Sequence, residues 1–263
     1  MPHVAKICVY PIKSLDGVEV TQAEVLQSGT LEYDRRFAIF DEQGKYVNAK
    51  RHAKIHLLRS IFDLENKMLL LHIQGSDTEE NLNYYHLDFE TRELEAWLSE
   101  FFGFTVKLQK NLVMGFPDDT VSPGPTIVST ATLREVASWY SDLSEDDIRR
   151  RMRTNIEIDG VPAFWEDKLF SESNSVINFK IGNLKFIGVN PCQRCIVPTR
   201  NAVTGEVNSS FQKTFINKRR ETLPEWVNKS RFNHYYKLTV NTILAKQEVG
   251  NKIIKVGDEI TLL

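Results

Sequence analysis

The chain has 263 residues, with 33 Lys and Arg against 35 Asp and Glu and a formal net charge of −2. A 41% hydrophobic and 26% charged composition excludes disordered and fibrous classes, and the near-neutral charge excludes broad, sequence-independent nucleic-acid binding. Three cysteines cannot build a secreted disulfide framework, no stretch reaches the roughly 20 apolar residues of a bilayer span, and the N-terminus has no signal or transit pattern, so the expectation is a cytoplasmic protein with no membrane and no nucleic-acid partner.

In chain order, the first 73 residues read as a β-meander. Val4 to Pro11 is a strand, Phe37–Phe40 and Lys45–Val47 flank a turn, and Ile61–Leu64 pairs with Met68–Leu71. Leu94, Trp97, Leu98, Phe101 and Phe102 share one helix face that Gly103 ends, and Phe104 to Leu108 resumes strand character. The Pro- and Gly-rich stretch 114–125 predicts a boundary between two halves, 1–115 and 116–263. Beyond it come a strand at Ile127–Ser129 and a helix marked by Leu133, Val136, Ala137 and Tyr140. A capping box at Ser144 starts a second helix, and Ile156–Ile158 is a further strand. Val176–Ile181 and Leu184–Val189 form a hairpin turning at Gly182-Asn183, and 252–262 alternates like one half-buried strand. The class is α+β, predominantly β.

The sequence has no nucleotide-binding glycine loop, no nucleophile elbow and no His-Glu-x-x-His. His52 and His56 sit in what reads as a polar surface segment. Cys192 and Cys195 are three apart, between Pro191 and Pro198, leaving a strand for a loop. Thiolates select soft or late metals, and Arg194 beside Cys195 favours the thiolate; the pair equally fits buried thiols acting as small apolar residues. Zinc has no complete ligand set here. Lys13-Ser14, after a strand and a proline, can bind an anion, although such a pair is often a solvated turn. Asp34-Arg35-Arg36 and Arg149 to Arg153 each precede an apolar strand, which gathers cationic groups at one end of a sheet or barrel. The basic stretch from Lys213 to Arg231 reads as a solvated loop or a docking face for an acidic partner.

Tyr10-Pro11-Ile12-Lys13-Ser14 with Gly17-Val18, Pro191-Cys192-x-Arg194-Cys195, the Val203–Glu206 turn and the terminal Ile254-Lys255-Val256-Gly257-Asp258 resemble the MOSC N-terminal and MOSC domains. These are the C-terminal part of molybdenum cofactor sulfurases and the two-part body of amidoxime-reducing components. The resemblance implies a MOSC β-barrel with a smaller β-rich N-terminal domain, and a molybdenum–molybdopterin cofactor (Moco) held between them. It implies Cys195 as the thiolate on the metal. Lys13, Ser14 and Arg36 from one half, and Ser129, Thr130, Arg153, Asn155, Gln193 and Arg194 from the other, would bind the cofactor. Glu166 and Asp167 would be catalytic as a proton shuttle, or else serve a structural cap or salt bridge. The implied activity is reduction of a small N-hydroxylated substrate, such as an amidoxime or hydroxylamine. Electrons would come from a separate ferredoxin or flavoprotein reductase, because three cysteines cannot hold a four-thiolate iron–sulfur cluster. The alternative is a carrier of sulfur or of the cofactor, using a Cys195 persulfide or thiolate. Thr154 replaces a proline frequent in the family between Arg153 and Asn155, and Cys192 has a secondary role or none.

Overall fold

The computed structural model describes residues 1–76, 78–173, 175–246 and 252–263. The first half contains β1 (His3–Val9), β2 (Val18–Val20), β3 (Gln22–Glu24), β4 (Phe37–Asp41), β5 (Leu58–Asp63), β6 (Met68–Ile73), β7 (Asn83–His86), α1 (Thr91–Phe102) and β8 (Val106–Lys110). The second contains β9 (Ile127–Ser129), α2 (Thr130–Ser138), α3 (Glu145–Met152), β10 (Ile156–Asp159), β11 (Ile177–Ile181) and β12 (Leu184–Gln193). After these come α4 (Phe211–Glu221), β13 (Lys237–Leu244), β14 (Ile253–Lys255) and β15 (Ile260–Leu262). The fold is α+β and mainly β, as the sequence predicts.

Eight strands form one sheet in the order β15-β11-β12-β13-β9-β10-β1-β2, and only β9 and β10 run parallel. The sheet closes on itself, which leaves fewer unpaired edges. Val4 N donates to Asp258 O (2.9 Å), Ile260 N to Pro2 O (2.9 Å), and His3 bridges Glu259, so the β15 end returns to β1. The barrel interior is packed with apolar side chains, among them Val4, Ile7, Ile127, Ile156, Phe179, Phe186 and Val240. A second core lies under the β4–β8 pair, the β5–β6–β7 sheet and α1, with Ile39, Leu69, Leu71, Leu94, Leu98 and Val106 at its centre. A third joins α2, α3 and α4 through Leu133, Val136, Ile148, Phe211 and Phe215.

Several sequence expectations meet this arrangement unchanged. The α1 stripe buries Leu94, Leu98 and Phe101, and Gly103 caps the helix in the left-handed region at φ 81°. Ser144 and Asp147 form the expected capping box of α3. Others change. The first 73 residues are not a single meander: β1 and β2 belong to the barrel sheet with strands of the second half, and β3 pairs with β14. Lys45–Val47 makes only an isolated bridge at Tyr46, because β4 takes β8 as its ladder partner. Residues 252–262 are two strands in different sheets, since Gly257 (φ 92°) turns the chain between them. β12 runs four residues beyond the expected Val189, so Cys192 lies on a strand.

A close approach fixes the middle of β12. A Cβ at Gly188 would come within 1.6 Å of the Leu169 carbonyl oxygen, which is backbone and cannot move aside. Gly188→Ala is therefore expected to lose at least about 3 kcal/mol of stability or fail to fold. Gly44→Ala, at φ 70° with open space around it, should lose only about 1 kcal/mol. Urea melts of the two variants check the contrast.

Candidate functional site

A cavity of about 850 Å³ opens where the barrel, the small sheets and α3 meet. Its lining holds ten Lys and Arg side chains against four Asp, in a chain whose net charge is negative. The positive charge is thus concentrated by the fold.

The inner wall comes from the end of β1 and the segments that follow. Lys13 is buried; its Nζ donates to Phe116 O (2.9 Å) and pairs with Asp118 (2.5 Å). Burial lowers the Lys13 pKa while Asp118 opposes the shift. The Ser14 hydroxyl accepts from Ala49 N (3.2 Å). Asp34 accepts from Tyr10 N (3.0 Å) and pairs with Arg35. Arg153 lies with its guanidinium carbon 4.1 Å from the Tyr10 ring centre, and Arg35 lies 5.3 Å from the same ring. Burial, more than any neighbouring charge, raises the Tyr10 pKa well above its ordinary value, so the hydroxyl stays protonated and donates to Thr154 O (3.4 Å). Ser14 (φ 74°), Arg35 (φ 49°) and Arg153 (φ 51°) all occupy the left-handed region without being glycine. Such residues are uncommon, and each holds its strain because the surrounding fold dictates it. Gly115 (φ 66°) lets the 111–126 loop lie on the backbone of residues 34–35, where a Cβ would meet Asp34 O at 2.7 Å.

The thiol wall is set by irregular pairing of β12 with β13. Gly188 faces Thr242 and Asn190 faces Asn241, so β12 carries an extra residue. Pro191 then faces Val240 and Gln193 faces Lys237, so β13 carries the next one. Thr239, β-branched and at φ 69°, sits in that second bulge. Bulges re-aim side chains, and here they deliver Cys192, Gln193, Arg194 and Cys195 to the cavity. Both cysteines are free, and Cys195 is exposed. Arg194 donates to Met152 O (2.8 Å) and to Cys192 Sγ (3.4 Å); its guanidinium serves Cys192, where sequence adjacency had suggested Cys195. Arg151 donates to Pro198 O (2.9 Å) and pins the segment after Cys195 to α3.

Of the predicted site residues, Lys13, Ser14, Arg153, Asn155, Gln193, Arg194 and Cys195 line this one cavity. Asn155 uses its amide for construction: it donates to Cys8 O (3.2 Å) and accepts from Thr126 N (3.2 Å), tying β1, β9 and β10 together. Five others lie outside the lining. Arg36 turns to Glu32 (2.9 Å) and stacks on Tyr33, so Arg35 is the arginine of that cluster that faces the cavity. Ser129 caps α2 by accepting from Thr132 N, and Thr130 donates to Glu157 (3.0 Å). Glu166 accepts from Thr132 (3.0 Å), and Asp167 pairs with Arg219, all of them buried; these partners are those of the cap and salt-bridge alternative, and neither acid is in the cavity lining. Burial raises the pKa of each, and Arg219, held between Phe164 and Phe232, compensates Asp167. Arg219 also leaves the surface stretch to which the sequence assigned it.

Sequence reasoning passed over Tyr10, Arg35, His56 and Arg59. His56, read as a surface histidine, is buried and lines the cavity. Burial, then the charges of Arg153 and Arg200, lowers its pKa to about 4. For the first two the signal was the Tyr10–Ser14 run and the Asp34–Arg36 cluster, in which Lys13, Ser14 and Arg36 had been given the site roles.

Residues 1–111 match the MOSC N-terminal beta barrel domain and residues 126–261 match the MOSC domain. The chain belongs to the MOSC family. Among curated MOSC relatives it is 26% identical to human molybdenum cofactor sulfurase, across 84% of this chain and 29% of that protein. It is also 26% identical to human mitochondrial amidoxime reducing component 2 (78% of this chain, 68% of the relative) and to human mitochondrial amidoxime-reducing component 1 (77% and 67%). The chain thus spans under a third of the sulfurase. Among the described residues no helix is long and apolar enough to cross a membrane.

The residues fit the anionic cofactor that the family implies. Buried guanidinium nitrogens, Nε of Arg59, Arg151, Arg194 and Arg200 and Nη2 of Arg153, have no hydrogen-bond partner among the described residues. Buried donors of this kind call for an acceptor, and a phosphate supplies several. Among the described residues no group of three or more His, Cys, Asp or Glu could hold a metal ion, so a metal on Cys195 would bring most of its ligands with it.

Two measurements test this account. Asp167→Asn and Arg219→Met should each lower stability by about 3–5 kcal/mol, the penalty for breaking a buried pair, while leaving phosphate affinity of the folded chain within about twofold. For His56, the folded pKa of about 4 lies below the unfolded 6.5, so the unfolded chain takes up a proton first as pH falls. Stability should drop by about 3 kcal/mol between pH 6.5 and 4, and His56→Asn should remove that part of the slope in pH-resolved denaturation.

Proposed function

We propose that this chain binds a molybdenum–pterin cofactor and acts as an enzyme that reduces N-hydroxylated compounds. One observation carries the reading: a free, exposed thiol, Cys195, stands at the wall of a cavity lined by ten basic side chains. A thiolate suits a soft metal, and converging cations suit a phosphate.

In this reading Lys13, Ser14, Arg35 and Arg153 hold the anionic end of the cofactor, Arg194 and Gln193 flank it, and Cys195 offers its thiolate to the metal. The bound cofactor supplies two-electron redox chemistry. Substrate N–OH takes up two electrons and two protons, giving N–H and water. The fold's contribution is to position: Arg151 and Arg194 fix the thiol segment on α3, and Tyr10 supports Arg153 from below. In this reading the electrons reach the cavity from a ferredoxin or flavoprotein reductase, since the three cysteines of these 263 residues cannot ligate a four-thiolate cluster. The exposed cations of the 213–231 stretch, Lys213 and Arg220 among them, are the candidate contact for an acidic donor. A reducing compartment such as the cytoplasm keeps Cys192 and Cys195 as the thiols they are in this structure.

The chain purified from a cofactor-competent host should contain about one molybdenum and one pterin per chain. Cys195→Ser should lose most of the metal, and amidoxime should reoxidise the dithionite-reduced wild type. Full metal content in Cys195→Ser removes the ligand assignment. Metal present without reoxidation of the reduced protein by amidoxime, together with a persulfide on Cys195 by mass spectrometry, turns the reading to a sulfur carrier.

A further inference from the structure

We infer that the outer part of the cavity is a second anion site, and that the molecule reduced there carries a phosphate or carboxylate; this rests on the reductase reading above. The argument begins with the β5–β6 hairpin. Its strands pair Arg59 with His72 and Ile61 with Leu70, and Gln74 N continues the ladder to Leu57 O (2.7 Å). Alternation sends Leu58, Phe62, Leu69 and Leu71 into the second core, so Arg59, Ile61 and His72 fall on the other face. That face would ordinarily be a solvated surface. Here Arg59, Ile61, His72 and Gln74 all line the cavity.

Arg59 is held firmly. It donates to His56 O (2.6 Å) and Ala202 O (3.3 Å) and pairs with Asp16 (3.1 Å), yet its Nε is buried with no partner among the described residues. Arg150, in the last turn of α3, adds to the positive potential at Arg59: together with burial it lowers the Arg59 pKa, and only Asp16 opposes. Arg150 and Lys50 are both exposed, both line the cavity, and neither makes a hydrogen bond or salt bridge among the described residues. Arg59, Arg150 and Lys50 line one cavity, offset by Asp16 at Arg59 and by Asp147 at Arg150, and the net positive field that remains is one an anion would relieve.

This outer group is distinct from the inner one in kind. Lys13 is buried and engaged by Phe116 O and Asp118, which suits a resident ligand. Arg150, Lys50 and the 65%-exposed Ile61 lie at the mouth, within reach of solvent, which suits a molecule that arrives and leaves. Ile61 gives that molecule an apolar contact beside its charge. The inner and outer groups share one cavity with Cys195, so a substrate anchored by its anion at the outer cations stays in the cavity that holds the thiol.

The test uses Arg150→Glu, an exposed change on a helix end. With cofactor-loaded protein, kcat/KM is compared for benzamidoxime and its 4-carboxy and 4-phosphonooxy derivatives. The wild type should prefer the anionic compounds, and Arg150→Glu should lower that preference about tenfold, with the difference shrinking at high salt. Independently of turnover, calorimetric titration of the cofactor-free chain with inorganic phosphate should find two sites in the wild type and one in Arg150→Glu. An unchanged preference, or a single phosphate on the wild type, overturns the inference. So does a loss of cofactor in Arg150→Glu, which would give the outer anion to the cofactor. If no N-hydroxylated compound is reduced at all, the reductase reading fails by itself, and two phosphates falling to one would still establish the outer site.

Discussion

The structure depends on holding like charges together. Ten basic side chains around one cavity repel each other, and the net charge of −2 gives no general positive field to explain them. Carboxylates hold part of the arrangement, Asp34 on Arg35 and Glu157 on Arg149, and backbone carbonyl oxygen stands behind four other guanidinium groups: Pro198 O behind Arg151, Met152 O behind Arg194, Gly205 O behind Arg200, and His56 O behind Arg59. A carbonyl can neutralise only part of a full charge, and it leaves the remaining N–H groups pointing elsewhere. The fold thus fixes the orientation of these groups without consuming their capacity to bind an anion.

The same economy explains where the backbone is irregular. Three left-handed non-glycine residues, Ser14, Arg35 and Arg153, line the cavity, and the compensating bulges of β12 and β13 lie behind its thiols. A regular strand would send alternate side chains to opposite faces and split Cys192, Arg194 and Cys195 between them. An extra residue on β12, followed by one on β13, restores the overall register while tilting the intervening segment. Thr239 carries the strain of that second bulge, with its hydroxyl buried and unpartnered among the described residues.

Legibility in the sequence followed the range of the interactions. The α1 face, the α3 capping box and the 177–193 hairpin depend on residues a few positions apart, and their patterns are visible. The Lys13-Ser14 and Cys192–Cys195 segments were legible as chemistry because short runs fix both residue type and context. Arg35 against Arg36 was not, since a single residue's φ decides which arginine turns inward. His56 and Arg59 were invisible for another reason. His56 and Arg59, before and within β5, look solvated until residues from nearly a hundred positions later line the same cavity. For Glu166 and Asp167 the proton-shuttle and salt-bridge alternatives could not be told apart in the sequence, because the partner that makes Asp167 half of a buried ion pair, Arg219, lies more than fifty residues later.

The two cysteines at the cavity have become chemically unequal through their neighbours. Cys192 is on a strand, partly buried, with the Arg194 guanidinium on its sulfur; Cys195 has left the strand and is exposed. A donor already shared with Arg194 is poorly placed to bind a second cation, whereas Cys195 brings no competing positive contact among the hydrogen bonds of the described residues. With no group of three or more ligating side chains among those residues, the protein supplies one sulfur and many anion-binding nitrogens.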